Sequence, residues 1–277
     1  MTLPSYVWLF LFFLVPTLMV FAYALKPYDV QEGVGQGWTL STMMAIFTPE
    51  YITIFWRTLW LSSLTTAICL AIALPLGYGL VRASPKMQKL FLLLVIMPFW
   101  SSFLVRIFAW KTLLHPEGFI RNTLTFLHII GPDTFLLYNL GTVLVVMVYS
   151  YLPFAILPIY AQSVKFNYQL IEAAMDAGAT QLRAFFSVFL PSIRKGIYTA
   201  IVMVFIPAIG AYVIPDVVGG TNSEMIGNII AQKIFVERNL PQASALSVVL
   251  CVLVMSPLAL AAYMQKRLIT ERGGSRE

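Results

Sequence analysis

Glu172 and Asp176 stand four residues apart in Ile171-Glu172-Ala173-Ala174-Met175-Asp176-Ala177-Gly178-Ala179, so a helix there puts both carboxylates on one face. Like charges at that spacing repel slightly. The cost makes sense if the face meets basic or hydrogen-bonding groups on a partner, or lies near a helix amino terminus. Ala173, Ala174 and Ala177 present small surfaces that let another protein approach closely. Asn167 can cap a helix starting at Tyr168, and Gly178 suits the left-handed residue that ends it. Thr180 can then cap a second helix running to Leu190, where Pro191 interrupts it. A plain amphipathic connector on a membrane surface would carry the same acidic pair. The residues by themselves thus allow a docking helix or a connector. No phosphate-binding lysine loop, nucleophile motif or paired catalytic constellation appears, so intrinsic ATP hydrolysis is not expected. His115 and His128 lack a ligand-like spacing, and Cys69 and Cys251 fall inside apolar runs. Neither a metal site nor a disulfide framework is expected.

The elements around that segment are lipid-soluble. Hydrophobic residues make up 59% of the 277, charged residues 11%, and the mean hydropathy is +0.82, so the chain can hold several spans plus loops but no large soluble domain as well. Six apolar runs are long enough to cross hydrocarbon: Tyr6–Leu25, Thr58–Val81, Leu90–Trp110, Leu136–Tyr160, Gly196–Ile214 and Ala243–Met264. Pro16, Pro75, Pro98, Pro153, Pro158, Pro207 and Pro257 sit within them, which implies a packed bundle whose neighbours re-satisfy the freed carbonyls. The first run has no basic residue before it and no small-residue cleavage site after it, so it reads as a retained span.

Charge sets the expected orientation. The amino terminus, Arg82–Lys89, Val164–Lys195 and the tail from Gln265 hold eleven Lys and Arg, against five in the alternate loops, with Arg57 and Arg106 at or inside span ends counted in neither. Both termini and the acidic loop are therefore expected in the cytoplasm. Eight of the twelve carboxylates fall in the opposite loops, so the net charge of +6 belongs to the inner face and gives no argument for nucleic acid.

Glu172-Ala173-Ala174, then Gly178 after three residues, then Leu190-Pro191, resembles the EAA loop of bacterial ABC-importer permeases. Val188 stands where that family usually has isoleucine. More of the chain is similar to the first permease subunit of spermidine/putrescine importers. The similar blocks are Met97-Pro98-Phe99-Trp100 with Leu104-Val105-Arg106-Ile107, Pro116-Glu117-Gly118-Phe119, Tyr151-Leu152-Pro153-Phe154, Pro207-Ala208-Ile209-Gly210, and Asp216-Val217-Val218-Gly219-Gly220 with Ile226-Gly227-Asn228. Permeases for other small cations, phosphonates or metal complexes share some of these blocks.

The resemblance implies an all-α polytopic protein with six transmembrane helices and a type I ABC-importer permease fold. Residues 1–277 would form one permease domain, with the coupling loop at 163–195. Glu172, Ala173, Ala174, Asp176, Gly178, Leu190 and Pro191 would couple it to an ATPase. The implied partners are a second permease, two copies of the ATPase subunit and an extracytoplasmic binding protein, at the bacterial inner membrane. ATP and Mg would be used by the ATPase alone, with no cofactor on this chain. A polyamine's ammonium groups need carboxylates, carbonyls or aromatic faces in place of water, and Trp100, Tyr149, Tyr151, Tyr212 and Asp216 are the candidates. Asp216, beside Pro215 and a flexible Gly219-Gly220, also fits a helix-end residue in the headgroup zone. Arg106 would repel a polyamine, so a structural or gating role is expected, with Asp216 or Glu117 as possible ion-pair partners. The alternatives are a permease for another small solute, an ion-coupled secondary transporter and a membrane scaffold. No central intramembrane carboxylate or clear repeat supports the secondary transporter.

Overall fold

Inside hydrocarbon no water satisfies backbone amides, so runs this apolar must close their hydrogen bonds within themselves, as helices do. The computed structural model describes residues 3–30, 33–131 and 134–255, and every regular element among them is helical. Three helices are long and apolar enough to cross a membrane: Tyr6–Ala24, Pro49–Leu80 and Leu140–Ser163. Two bent pairs bring the number to five if each counts as one span: Pro85–Trp100 with Phe103–Phe126, at 93°, and Gln181–Ser192 with Arg194–Ile209, at 74°. The sixth expected run begins within the Leu240–Met255 helix, and its remainder, with Pro257, lies outside the described residues.

Two expected spans are broken. In place of one helix over Leu90–Trp110, Pro85–Ile96 tightens into a 3₁₀ turn at Met97–Trp100, and a new helix starts at Phe103. Ser101 and Ser102 between them are extended, with ψ of 149° and 140°. The amide and hydroxyl of Ser101 both donate to the Pro98 carbonyl, at 3.3 and 2.9 Å, a local turn that competes with the helical ladder. The fifth run likewise stops at Ile209, and a separate helix, Val213–Val218, follows. Elsewhere the caps account for the starts. Asn139 Oδ1 accepts from the Thr142 amide at 2.9 Å, so the fourth span begins at Leu140, four residues later than its hydropathy suggests.

The described residues fall into two compact units, divided within the Pro49–Arg82 helix at Trp56. One joins residues before that point to those after Met225, around Ala24, Ile46, Ile226, Ala245 and Leu246. Its polar contacts include Gln242 donating to the Tyr51 hydroxyl at 3.0 Å and the Lys233–Glu237 ion pair at 2.6 Å.

The other unit, Trp56–Met225, packs around the Leu140–Ser163 helix. Small residues let helices approach it closely. A Cβ at Gly77 would lie 2.7 Å from Ile159 Cγ2, and one at Gly196 would lie 2.9 Å from the Pro158 carbonyl. Three buried hydroxyls are satisfied along their own helices: Thr65, Thr66 and Ser163 each donate to the carbonyl four residues back, at 2.8 Å, whereas the buried Ser62 hydroxyl has no such partner.

Candidate coupling loop and pathway residues

The loop leaves the Leu140–Ser163 helix and re-enters the bundle at Arg194. Asn167 Oδ1 accepts from the Gln169 amide at 3.1 Å, and the helix runs Gln169–Asp176, starting one residue later than expected. Ile171 is fully buried and Ala174 half-buried, whereas Glu172, Ala173 and Asp176 are exposed. One side of this short helix is thus anchored on the bundle, and the acidic side is free to meet something else. The helix closes as a Schellman turn. The Ala179 amide donates to the Ala174 carbonyl at 3.0 Å and the Gly178 amide to the Met175 carbonyl at 2.9 Å. Gly178 takes φ +88°, the left-handed conformation that the sequence calls for.

Thr180 Oγ1 accepts from the Arg183 amide at 3.3 Å and caps the next helix, Gln181–Ala184. Pro191 does not end that helical run. A π turn at Phe185–Phe189 precedes it, Leu190–Ser192 continues, and the bend comes at Ile193. The wider π turn loosens the ladder where the proline lacks an amide, so the ring is accommodated. Leu190 is half-buried and Pro191 exposed. Leu170, Met175, Leu182 and Phe186 add exposed apolar surface to the loop.

A cluster that the motif does not mark holds the loop's base. Tyr168 donates its hydroxyl to the Tyr78 carbonyl at 2.9 Å, and the Tyr78 ring also meets Phe185 and Phe189. Burial foremost, then Tyr78 beside it, raise the Tyr168 pKa against the pull of Arg82, so the phenol stays neutral and remains a donor. The spacing of Tyr78 to Arg82 and of Phe185 to Phe189, four residues in each case, puts each pair on one helical face. That was the available signal. Which faces meet is a contact across 90 residues, and no local pattern reveals it.

The five pathway candidates share no hydrogen bond, ion pair or ring contact with one another among the described residues. Trp100 is 77% exposed, at the end of the 3₁₀ turn. Tyr149 stands edge-on to Trp110, with centroids 5.3 Å apart. Tyr151 is buried and donates to the Pro207 carbonyl at 3.2 Å, joining the fourth span to the fifth. Tyr212 is exposed just before the Val213–Val218 helix, and Asp216 is exposed on it. That helix packs against Phe103–Leu114 and Leu140–Ser163.

Arg106 forms no ion pair with Asp216 or Glu117. Its guanidinium carbon sits 5.6 Å from the Phe99 ring and 5.8 Å from the Phe103 ring, one on each side of the 93° bend. Phe99 in turn stands edge-on to Phe154 of the fourth span. Gly219 and Gly220 are close-approach residues with no room for a side chain. A Cβ would lie 2.4 Å from the Pro215 carbonyl at the first and 2.5 Å from the Tyr138 carbonyl at the second. Among the described residues no group of three or more His, Cys, Asp or Glu is placed to hold a metal ion.

The family model described as binding-protein-dependent transport system inner membrane component matches residues 67–272. The spermidine/putrescine transport system permease protein PotB of Haemophilus influenzae is 33% identical over 265 residues, covering 96% of this chain and 92% of that protein. Its Escherichia coli K12 namesake is 29% identical over 265 residues, 96% of each. The E. coli inner membrane ABC transporter permease protein YdcU is 30% identical over 234 residues, 80% of this chain and 74% of YdcU. Among solved structures, a chain of a bacterial ABC transporter that imports the acidic polysaccharide alginate aligns at TM-score 0.78. The identity is 18%, covering 96% of this chain and 94% of that one. A chain of the alginate transporter in complex with a pentasaccharide-bound periplasmic protein aligns at TM-score 0.74 and 20% identity, covering 97% and 93%. Likeness at those identities establishes the fold, an all-helical one shared with ABC-importer permeases. With a family model matched over most of its length and a relative one-third identical along nearly all of it, the chain belongs to the family of binding-protein-dependent transport system inner membrane components.

Proposed function

We propose that this chain supplies half of the translocation pathway of an ATP-binding-cassette importer for polyamines such as spermidine and putrescine. The observation that carries the coupling role is the loop helix Gln169–Asp176, anchored by buried Ile171 while Glu172, Ala173 and Asp176 stay exposed. An ATPase subunit with basic or hydrogen-bonding groups in a cleft fits that face, with Leu170, Met175, Leu182 and Phe186 adding apolar contact. Two such subunits hydrolyse ATP with Mg, a second permease completes the pathway, and an extracytoplasmic binding protein delivers the substrate. The full chain works as one permease domain of six spans, with 163–195 as its coupling loop. The eleven-to-five distribution of Lys and Arg supports placing both termini and the loop in the cytoplasm.

Similarity to the PotB proteins over nearly the whole chain supports the polyamine reading. On the pathway, exposed Asp216 offers a carboxylate to an ammonium group, while Trp100, Tyr149 and Tyr212 offer aromatic faces. Tyr151 is better read as a strut between spans, because its hydroxyl is already used. An ion-coupled secondary transporter has little left to support it, since the chain is similar over most of its length to permeases such as YdcU, an ABC transporter permease by its name.

The test is the complete complex in proteoliposomes, with labelled spermidine, the binding protein outside and ATP inside. Glu172→Lys reverses the charge on the exposed face, and we expect it to abolish copurification with the ATPase subunit and uptake together, with membrane insertion unchanged. Uptake by this variant at the wild-type rate would reduce the loop to a connector.

A further inference from the structure

A docking loop does mechanical work only if the bundle grips it, and in this chain the grip comes from the end of the second span. Arg82 is the last residue of the Pro49–Arg82 helix. Its guanidinium carbon lies 5.4 Å from the Tyr78 ring centroid and 5.3 Å from that of Tyr168, so one cation bridges a ring of the span and a ring of the loop. The side chain has no carboxylate partner among the described residues. Its place is therefore set by the two rings and not by an ion pair.

Tyr78 reaches both sides of the acidic helix. Before that helix, the Tyr168 ring sits 5.6 Å away and its hydroxyl bonds the Tyr78 carbonyl at 2.9 Å. After it, Phe185 and Phe189 meet the Tyr78 ring edge-on at 5.2 and 5.0 Å. Phe166 closes the set, 5.8 Å from Tyr168 and 5.3 Å from Phe189. Gly77, the preceding residue, lets the second span approach the fourth closely, since a Cβ there would lie 2.7 Å from Ile159 Cγ2. A push on the acidic helix must therefore displace Tyr168 and Phe185 against a ring that cannot yield without moving the span.

We propose that Arg82 and Tyr78 are positioning residues that transmit displacement of the coupling loop to the second span, with Tyr168 as the contact on the loop side. The proposal rests on the coupling role argued above. It names the transmitting contact within this chain, which the docking motif leaves open. Arg82→Met removes the cation and keeps an unbranched stem. Tyr168→Leu removes both ring and hydroxyl. Tyr168→Phe removes the hydroxyl alone, and Arg82→Lys keeps charge but lacks the planar group that stacks on two rings.

The experiment measures substrate taken up per ATP hydrolysed by the complete complex in proteoliposomes, alongside the amount of assembled complex. Arg82→Met and Tyr168→Leu should assemble with the ATPase and keep basal hydrolysis, yet lose about two- to fivefold in uptake per ATP, the scale of a cation–ring contact made by an exposed arginine. Arg82→Lys should fall between Arg82→Met and the wild type, and so should Tyr168→Phe. These two conservative variants decide the matter if the larger changes prevent insertion. Unchanged uptake per ATP in Arg82→Met, or uptake and hydrolysis falling together in step with the amount of complex, overturns the proposal. Glu172→Lys separates the two levels. If that variant is inactive while Arg82→Met stays coupled, only the transmitting contact is refuted, whereas full activity in Glu172→Lys refutes the loop reading beneath it.

Discussion

Gly178 allows the loop's geometry to be tested apart from its chemistry. A Cβ there would meet nothing within 4 Å, so substitution causes no clash and the whole cost is conformational. At φ +88° an L-residue with a side chain gives up about 1–2 kcal/mol, and a β-branched one more. Asparagine tolerates this region and should give up less. If the Schellman turn frays by that amount, the ordered population of the loop falls roughly 5- to 30-fold relative to its frayed states. Uptake should then rank Gly178 first, followed by Asn, Ala and Val, with membrane levels equal across the series. The assay is uptake by the purified complex, with copurification of the ATPase subunit measured in parallel, and the two should rank alike. Equal uptake by Gly178→Val and the wild type would refute the reasoning. Asparagine doing no better than alanine would show that the left-handed backbone is not what this position needs.

Three further outcomes follow from the placements. In a Cys251→Ser background, a cysteine at exposed Ser84 should be shielded from an impermeant thiol reagent in intact cells, and one at exposed Asn222 should react; reversed labelling overturns the orientation. Tyr151→Phe leaves the Pro207 carbonyl without its partner inside the bundle, and should lower thermal stability by roughly 0.6–1.7 kcal/mol while sparing uptake. Loss of uptake at unchanged stability would instead put the Tyr151 hydroxyl on the substrate. Asp216→Asn keeps the shape and removes the charge, so spermidine uptake should fall about tenfold or more while assembly is unaffected, and normal uptake would return Asp216 to the helix end.

The loop was legible because its rules are local. Thr180 and Gly178 each act on an amide or dihedral within a few residues and appear in the expected role, whereas Tyr168 takes the cap position and Asn167, one residue ahead of it, accepts from the Gln169 amide instead. The bends were not legible for the opposite reason. Hydropathy averages over a window, and Ser101-Ser102 or Gly210-Ala211 hardly dent that average, although each interrupts the helix. Pro191 misled because proline's effect depends on the register of the turn before it, and that turn is a π turn. Gly219 and Gly220 misled because glycine marks close approach as often as freedom. Only the distance to the Pro215 and Tyr138 carbonyls tells which.

These non-local features share a consequence. Both ends of the loop are fixed to the same helix, Leu140–Ser163. The loop leaves directly from its last turn and returns through Gly196, which lies against Pro158 and Gln162. The second span reaches that helix at Gly77 and the loop at Tyr78, on consecutive residues. A Cβ at either glycine would force the helices apart, and overpacking of that kind costs about 1–3 kcal/mol. The base of the loop is therefore held by contacts that are too close to slide. Small residues at the crossings and rings at the corner make the loop stiff where it meets the bundle, while its acidic face stays open. Stiffness at one side and exposure at the other are what a coupling element requires. Of the motif residues, Glu172, Ala173, Gly178 and Pro191 lie on the exposed side, while Ala174 and Leu190 pack against the bundle.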